Sequence, residues 1–242
     1  MESSLHLKNA PITEALIDIQ FDPVQFDIVS KIDKTEIVDL YPNIQPIKHA
    51  TVKVDVNADD VTESTSKTIG LRFTSKDSKY ISQFRENGFT LSRLPPYERW
   101  ESIRDEANRL WAIYRGIIGS VKIRRLGVRY INKILLTDDI IDLQKYFTEP
   151  PALQPSDKEI LKSFLQRFVI ENQDTSVTSI IHLANETSDG KSLPVILDIN
   201  SFLYREYEPD SPQVWNDLEV LRDQKNNIFY RSISKKTVEM FS

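Results

Sequence analysis

Between Ile12 and Phe21 the side chains alternate in character. Ala15, Ile17, Ile19 and Phe21 fall on one face, and Glu14, Leu16, Asp18 and Gln20 on the other. A period of two over that length predicts a half-buried strand entered after Pro11. Asp22-Pro23 supplies a helix start, and Val24, Ile28, Val29, Ile32 and Leu40 predict a helix over roughly 24–40 that stops at Tyr41-Pro42-Asn43. Three strand patterns follow, over 51–56, 68–74 and 80–94, the last broken by Asn87-Gly88 as a hairpin turn or bulge. The stretch 57–67 is rich in Asp, Ser and Thr and reads as a solvated loop.

Past Pro95-Pro96 the period changes. Trp100, Ile103, Ala107, Leu110, Trp111 and Tyr114 recur at steps of three and four, the stripe of an amphipathic helix over 97–114 with Gly116 and Gly119 as its stop. Alternation returns over 121–135, and with an unusual charge. Arg125, Arg129 and Lys133 share one face of this strand, while Leu126, Val128, Tyr130 and Ile134 share the other. A short helix is predicted around 139–147. Ser156 and Glu159 form a capping box ahead of Ile160, Leu161, Phe164, Leu165 and Phe168.

The last third predicts strands over 168–171, 176–183 and 194–202, the second and third joined through Ser188-Asp189-Gly190. Ser211-Pro212 opens a helix carrying Val214, Trp215, Leu218 and Leu221, and Lys225-Asn226-Asn227 reads as its C-terminus. One arrangement thus occurs twice: a strand ending near Phe89 or Phe202, then Pro95 or Pro209, then a helix begun at Trp100 or Trp215. The expected fold is α+β, with two antiparallel-sheet-plus-helix halves around a shared core. They span 1–149 and 156–242, with the proline-rich segment 150–155 as the joint, and internal duplication is one way to produce them.

Composition narrows the chemistry. The chain has no cysteine, which removes disulfides, thiolate metal sites and cysteine nucleophiles together. A net charge of −5 gives no bulk attraction to nucleic acid or anionic lipid, so nucleic acid is not an expected partner. Residues 1–7 are too short and polar for a signal core, and no window approaches 18 apolar residues, so a cytoplasmic protein without a membrane span is expected. His6, His49 and His182 share no ligand spacing, so no metal or other cofactor is expected. No P-loop, GxGxxG or GxSxG is present. Gly116-Ile117-Ile118-Gly119 has the outline of an RNA-binding GxxG loop, but its two central isoleucines and the strand after it fit a helix stop better.

The candidate site is a set of charges at mid-strand: Arg125, Arg129, Arg72, Asp18 and Asp198. Buried arginines need partners, so these residues suit either an anion-binding concavity or interstrand salt bridges on a solvated sheet face. Tunnel-type triphosphate enzymes use such geometry, but their ExExK signature is missing from Glu14-Ala15-Leu16-Ile17-Asp18.

Four segments together resemble an uncharacterised bacterial protein family of sporadic distribution. They are Lys8-Asn9-Ala10-Pro11-Ile12, the run from Phe89 to Trp100, Arg125 to Asn132 (RLGVRYIN), and Leu218 to Arg222 with Lys225 to Phe229. The resemblance implies a bacterial or phage-associated cytosolic protein, linked by its patchy occurrence to defence or mobile elements, and carries over no catalytic residue. The expected function is a non-enzymatic binding or interaction protein with an unidentified protein partner. The alternative is an enzyme or sensor for a small phosphorylated ligand or nucleotide, with Arg125 and Arg129 clamping the anion.

Overall fold

The strand read from Ile12 forms as β1 (Ile12–Phe21), fifth in a nine-stranded sheet. The computed structural model describes residues 7–24, 31–32, 37–54, 61–137, 142–151, 159, 161–187 and 192–242, with 51–54 and 61–65 as backbone only. Chain order gives α1 (Ile37–Leu40), β2 (Asn43–Val54), β3 (Val61–Thr74), β4 (Tyr80–Arg85), β5 (Gly88–Arg93) and α2 (Trp100–Ile118). Then come β6 (Ile123–Leu136), β7 (Leu165–Asn172), β8 (Val177–Asn185), β9 (Leu193–Tyr207), α3 (Gln213–Ser232) and α4 (Lys235–Met240). The sheet order is β2-β3-β4-β5-β1-β6-β9-β8-β7, and every pairing is antiparallel. The class is α+β.

The β1–β6 pair lies at the centre. On one side β1 pairs with β5, the strand that leads into α2; on the other β6 pairs with β9, the strand that leads into α3. On both sides the chain leaves a central strand for the sheet edge, meanders back inward to the strand beside the centre, and passes through a proline into a long helix. Both long helices cover the same face. Ile17, Ile19, Phe89 and Leu91 of the sheet share one core with Ile103, Leu110 and Tyr114 of α2 and with Leu218 and Leu221 of α3. The Tyr114 ring stacks on Phe84 at 4.3 Å, and Phe89 meets Trp111 at 5.8 Å. A second cluster joins Ile228 and Phe229 of α3 to Ile134, Val195 and Leu197. The opposite face of the sheet, the outer face, bears the charged alternation of β1 and β6.

Several boundaries differ from expectation. Residues 61–67, read as loop, belong to β3; the successive Ser66 and Lys67 are both exposed, and a strand next to the sheet edge needs no apolar alternation there. The hairpin turn is Glu86-Asn87, with Arg85 paired to Gly88. Leu165 and Phe168, spaced as a helical stripe, lie in strand β7; the capping box and the turn at 188–190 lie outside the described residues apart from Glu159. Of the helix expected over 24–40, Val24, Lys31-Ile32 and α1 are described; Val24 is not helical, and the end before Tyr41-Pro42 holds. Of the helix expected over 139–147, residues 142–147 are described, and they hold a 3-10 turn, Leu143–Lys145. Gly116 sits inside α2, and Gly119 alone caps it, at φ 79° with its N–H donating to Arg115 O at 2.9 Å. Lys225-Asn226-Asn227 lies within α3, which continues to Ser232.

Candidate functional site

The mid-strand charges form two separate ion pairs. Arg125 reaches from β6 toward β1, where its Nη1 donates to Asp18 at 2.5 Å, and Asp18 also accepts from Gln20 at 2.8 Å and Arg85 at 3.3 Å. The pairing sets Asp18 opposite Gly127, and a Cβ at Gly127 would stand 3.1 Å from Arg125 Nη1. The absent side chain is what lets the guanidinium lie back along its own strand. The Phe202 ring beneath it, at 4.4 Å, completes the enclosure. Burial raises the Asp18 carboxyl above its ordinary value, against the pull of Arg125 and Arg85.

Arg129 reaches the other way, toward β9. Its guanidinium holds Asp198 with two parallel bonds of 2.8 and 2.7 Å, and His182 Nδ1 lies 3.6 Å from the same carboxylate. Asp198 is buried, whereas Arg129 keeps much of its length in water. Arg72 stands apart, exposed on β3 between Gln45 and Gln83. The structure thus brings Asp18 to Arg125 and Asp198 to Arg129. It does not gather the four into one concavity, and Arg72 belongs to neither pair. Both Arg–Asp pairs stitch β6 to its neighbours across the outer face.

The other face of β6 carries the group that sequence reasoning passed over. A cavity of about 280 Å³ opens between the start of α2 and the middle of α3, over the beginning of β1 and the Tyr130–Asn132 stretch of β6. Tyr130 and Asn132 are buried beneath it, and Tyr97, Trp100, Phe229 and Tyr230 contribute aromatic surface. The hydroxyls of Tyr97 and Tyr130 are hydrogen-bonded at 2.7 Å, and burial raises both, Tyr97 to about 12. The Asn132 amide donates to Leu197 O at 2.9 Å.

Lys225 projects from α3 into this floor. It is almost wholly buried, its Nζ is 3.6 Å from the centroid of the Tyr130 ring, and it donates a hydrogen bond to the Asn226 side-chain oxygen at 2.5 Å. Among the described residues no carboxylate lies within ion-pair distance of it. Burial first, and the positive charge of Arg222 second, lower its ammonium to about 7. The mouth is mixed in charge: Arg99, Glu98 and Glu101 line it, with Glu98 3.4 Å from Arg93. Arg99 is the N-cap of α2 and offers no side-chain acceptor, so the first N–H groups of a 19-residue helix start here uncapped.

The signal for Lys225 was present in the sequence. Leu218, Leu221, Lys225 and Ile228 follow the helical period, so a lysine occupies a stripe position, but ending the helix at 225 hides it. Among the described residues no helix is long and apolar enough to cross a membrane, and no group of three or more His, Asp and Glu is placed to hold a metal. Comparison of the chain with known protein families and with curated proteins returns no match.

Proposed function

We propose that the chain is a binding protein for a small organic anion, a phosphorylated or carboxylated compound with an apolar or aromatic body, held in the cavity between α2 and α3. The observation that carries this reading is Lys225, a buried amine on a cavity floor with no carboxylate in ion-pair reach among the described residues. Burying an amine among aromatic rings works against the fold, and an anionic ligand is the partner that offsets it. Arg222 adds a second cation, the open start of α2 adds N–H donors, and the rings of Trp100, Phe229 and Tyr230 suit the ligand's body.

A second observation supports the same place. All four segments that resemble the sporadically distributed bacterial family contribute to this cavity: Ala10 and Ile12, Tyr97 to Trp100, Tyr130 and Asn132, and Arg222 with Lys225, Asn226 and Phe229. Segments far apart in the chain that meet at one cavity are what a shared binding function requires. The twofold order of strand, meander and Trp-led helix is consistent with duplication of an ancestral unit, with the cavity where its two helices meet.

The test is thermal denaturation with inorganic phosphate, nucleoside monophosphates and small aromatic carboxylates, for the natural chain, Lys225→Met and Arg129→Met. At 100 times its dissociation constant a ligand stabilises by about 2.7 kcal/mol, a shift of roughly 2–4 °C in a chain of this size. Stabilisation lost in Lys225→Met and kept in Arg129→Met supports the cavity. The converse pattern returns the site to the outer face, and no response to any anion overturns the reading.

A further inference from the structure

We propose that two copies of the chain associate edge to edge through β7, antiparallel, in the register that sets Val169 against Val169. Among the described residues β7 closes the sheet: one side pairs with β8, and the N–H and C=O groups of the other have no strand to meet. Such an edge templates pairing unless it is guarded. The opposite edge is guarded, since β2 carries Pro46 and Lys48. β7 runs LQRFVIEN, with neither proline nor lysine, and leaves Leu165 at 70%, Val169 at 52% and Phe168 at 42% exposure.

The occupant follows from the charges. Pairing with β8 puts Arg167, Val169 and Glu171 on the outer face, and Phe168 and Ile170 on the helix-covered face beside Ile181 and Ser179. A twofold axis at Val169 therefore sets Arg167 of each copy opposite Glu171 of the other, twice over, and Phe168 opposite Ile170. A slip of two residues in either direction sets Glu171 against Leu165 or Val169 instead and leaves both charges without a partner. The strand is complementary to itself in one register, as an isologous dimer needs. The pairing also keeps both helix layers on one side and places each Phe168 next to the partner's apolar groove, formed by Phe147, Ile170, Ile181 and Leu183. This inference is independent of the anion cavity, because the groove and the cavity have no lining residue in common.

The experiment is size-exclusion chromatography with light scattering over a concentration series, on the full chain. A species near twice 28.0 kDa is expected. Arg167→Glu and Glu171→Arg should each raise the dissociation constant tenfold or more, by setting like charges face to face twice per dimer, and the double exchange should bring it back. Circular dichroism and thermal melts of each variant check that the fold is kept. A chain that stays at 28.0 kDa throughout overturns the proposal, as does a dimer indifferent to both single exchanges. Weakening that the double exchange fails to repair overturns the register.

Discussion

Lys225 Nζ stands 3.6 Å above the Tyr130 ring, inside a floor where no described carboxylate answers its charge. This residue binds its proton less tightly in the folded chain, near pH 7, than in the unfolded chain, near 10.4. Between those values the unfolded state carries the extra proton, so stability rises with pH by up to about 1.4 kcal/mol per unit from this one group. Below pH 7 both states are protonated and the full penalty stays. Lys225→Met keeps the bulk and removes the titration. Its stability, measured by urea denaturation from pH 6 to 9, should exceed that of the natural chain most at pH 6, and the gap should close toward pH 9. A pH-independent gap would show that Lys225 is not the buried amine described.

Binding of an anion over Lys225 should take up a proton. The groups around it are Arg222 and Asp223 on α3, Tyr130 on β6, Tyr97 before α2, and Glu98 and Glu101 at the mouth. Burial holds both tyrosines neutral until well above pH 9, so Lys225 is the group that changes charge between pH 7 and 9. Affinity should then fall by up to tenfold per pH unit above about pH 7. Calorimetric titration in two buffers of different ionisation enthalpy checks this through the number of protons taken up at pH 8. A value near zero would mean that the ligand does not engage the amine.

Arg129→Met removes both hydrogen bonds to Asp198 and leaves the buried carboxylate with His182 at 3.6 Å. Loss of one partner from a buried pair costs about 3–5 kcal/mol, but Arg129 keeps 43% of its side chain in water, so a cost of about 1–2 kcal/mol is expected. Adding Asp198→Asn should recover more than half of it, because the stranded charge is what the single variant leaves behind. Urea denaturation of the four proteins of the cycle gives the coupling. Strict additivity would mean that the pair contributes nothing.

What the sequence made legible was whatever one element decides by itself. The alternation at Ala15, Ile17, Ile19 and Phe21 and the stripe from Trp100 to Tyr114 each name a buried face, and both faces are buried as read. Peripheral strands were harder. Ser66-Lys67 and Leu165–Phe168 lie in strands that solvent reaches, where apolar period carries little information, so polar content read as loop and chance spacing as helix. The charges needed the sheet order: that Arg125 turns to β1 and Arg129 to β9 depends on which strands flank β6, which no local pattern states. Lys225 was lost to a rule applied one element too early, because a Lys-Asn-Asn run resembles a helix end until the apolar stripe beyond it, Ile228 and Phe229, is counted.

The two long helices are tied at the cavity's edge by Glu219. Its Oε1 accepts from the Trp100 indole N–H at 2.7 Å and from Arg104 at 2.9 Å, so the first turn of α2, which lines the cavity, is positioned from α3. Glu219→Ala leaves the indole N–H of a buried tryptophan without an acceptor, a loss of about 1–2 kcal/mol. Glu219→Gln keeps an amide oxygen in place and should cost less than half as much. On the proposed reading, ligand-induced stabilisation should fall in Glu219→Ala and survive in Glu219→Gln, since the cavity depends on where Trp100 is held and not on the charge of its acceptor. Melting curves of both variants with and without ligand decide it. Equal loss in the two would assign the effect to charge, and the role of Glu219 as a positioning residue would be wrong.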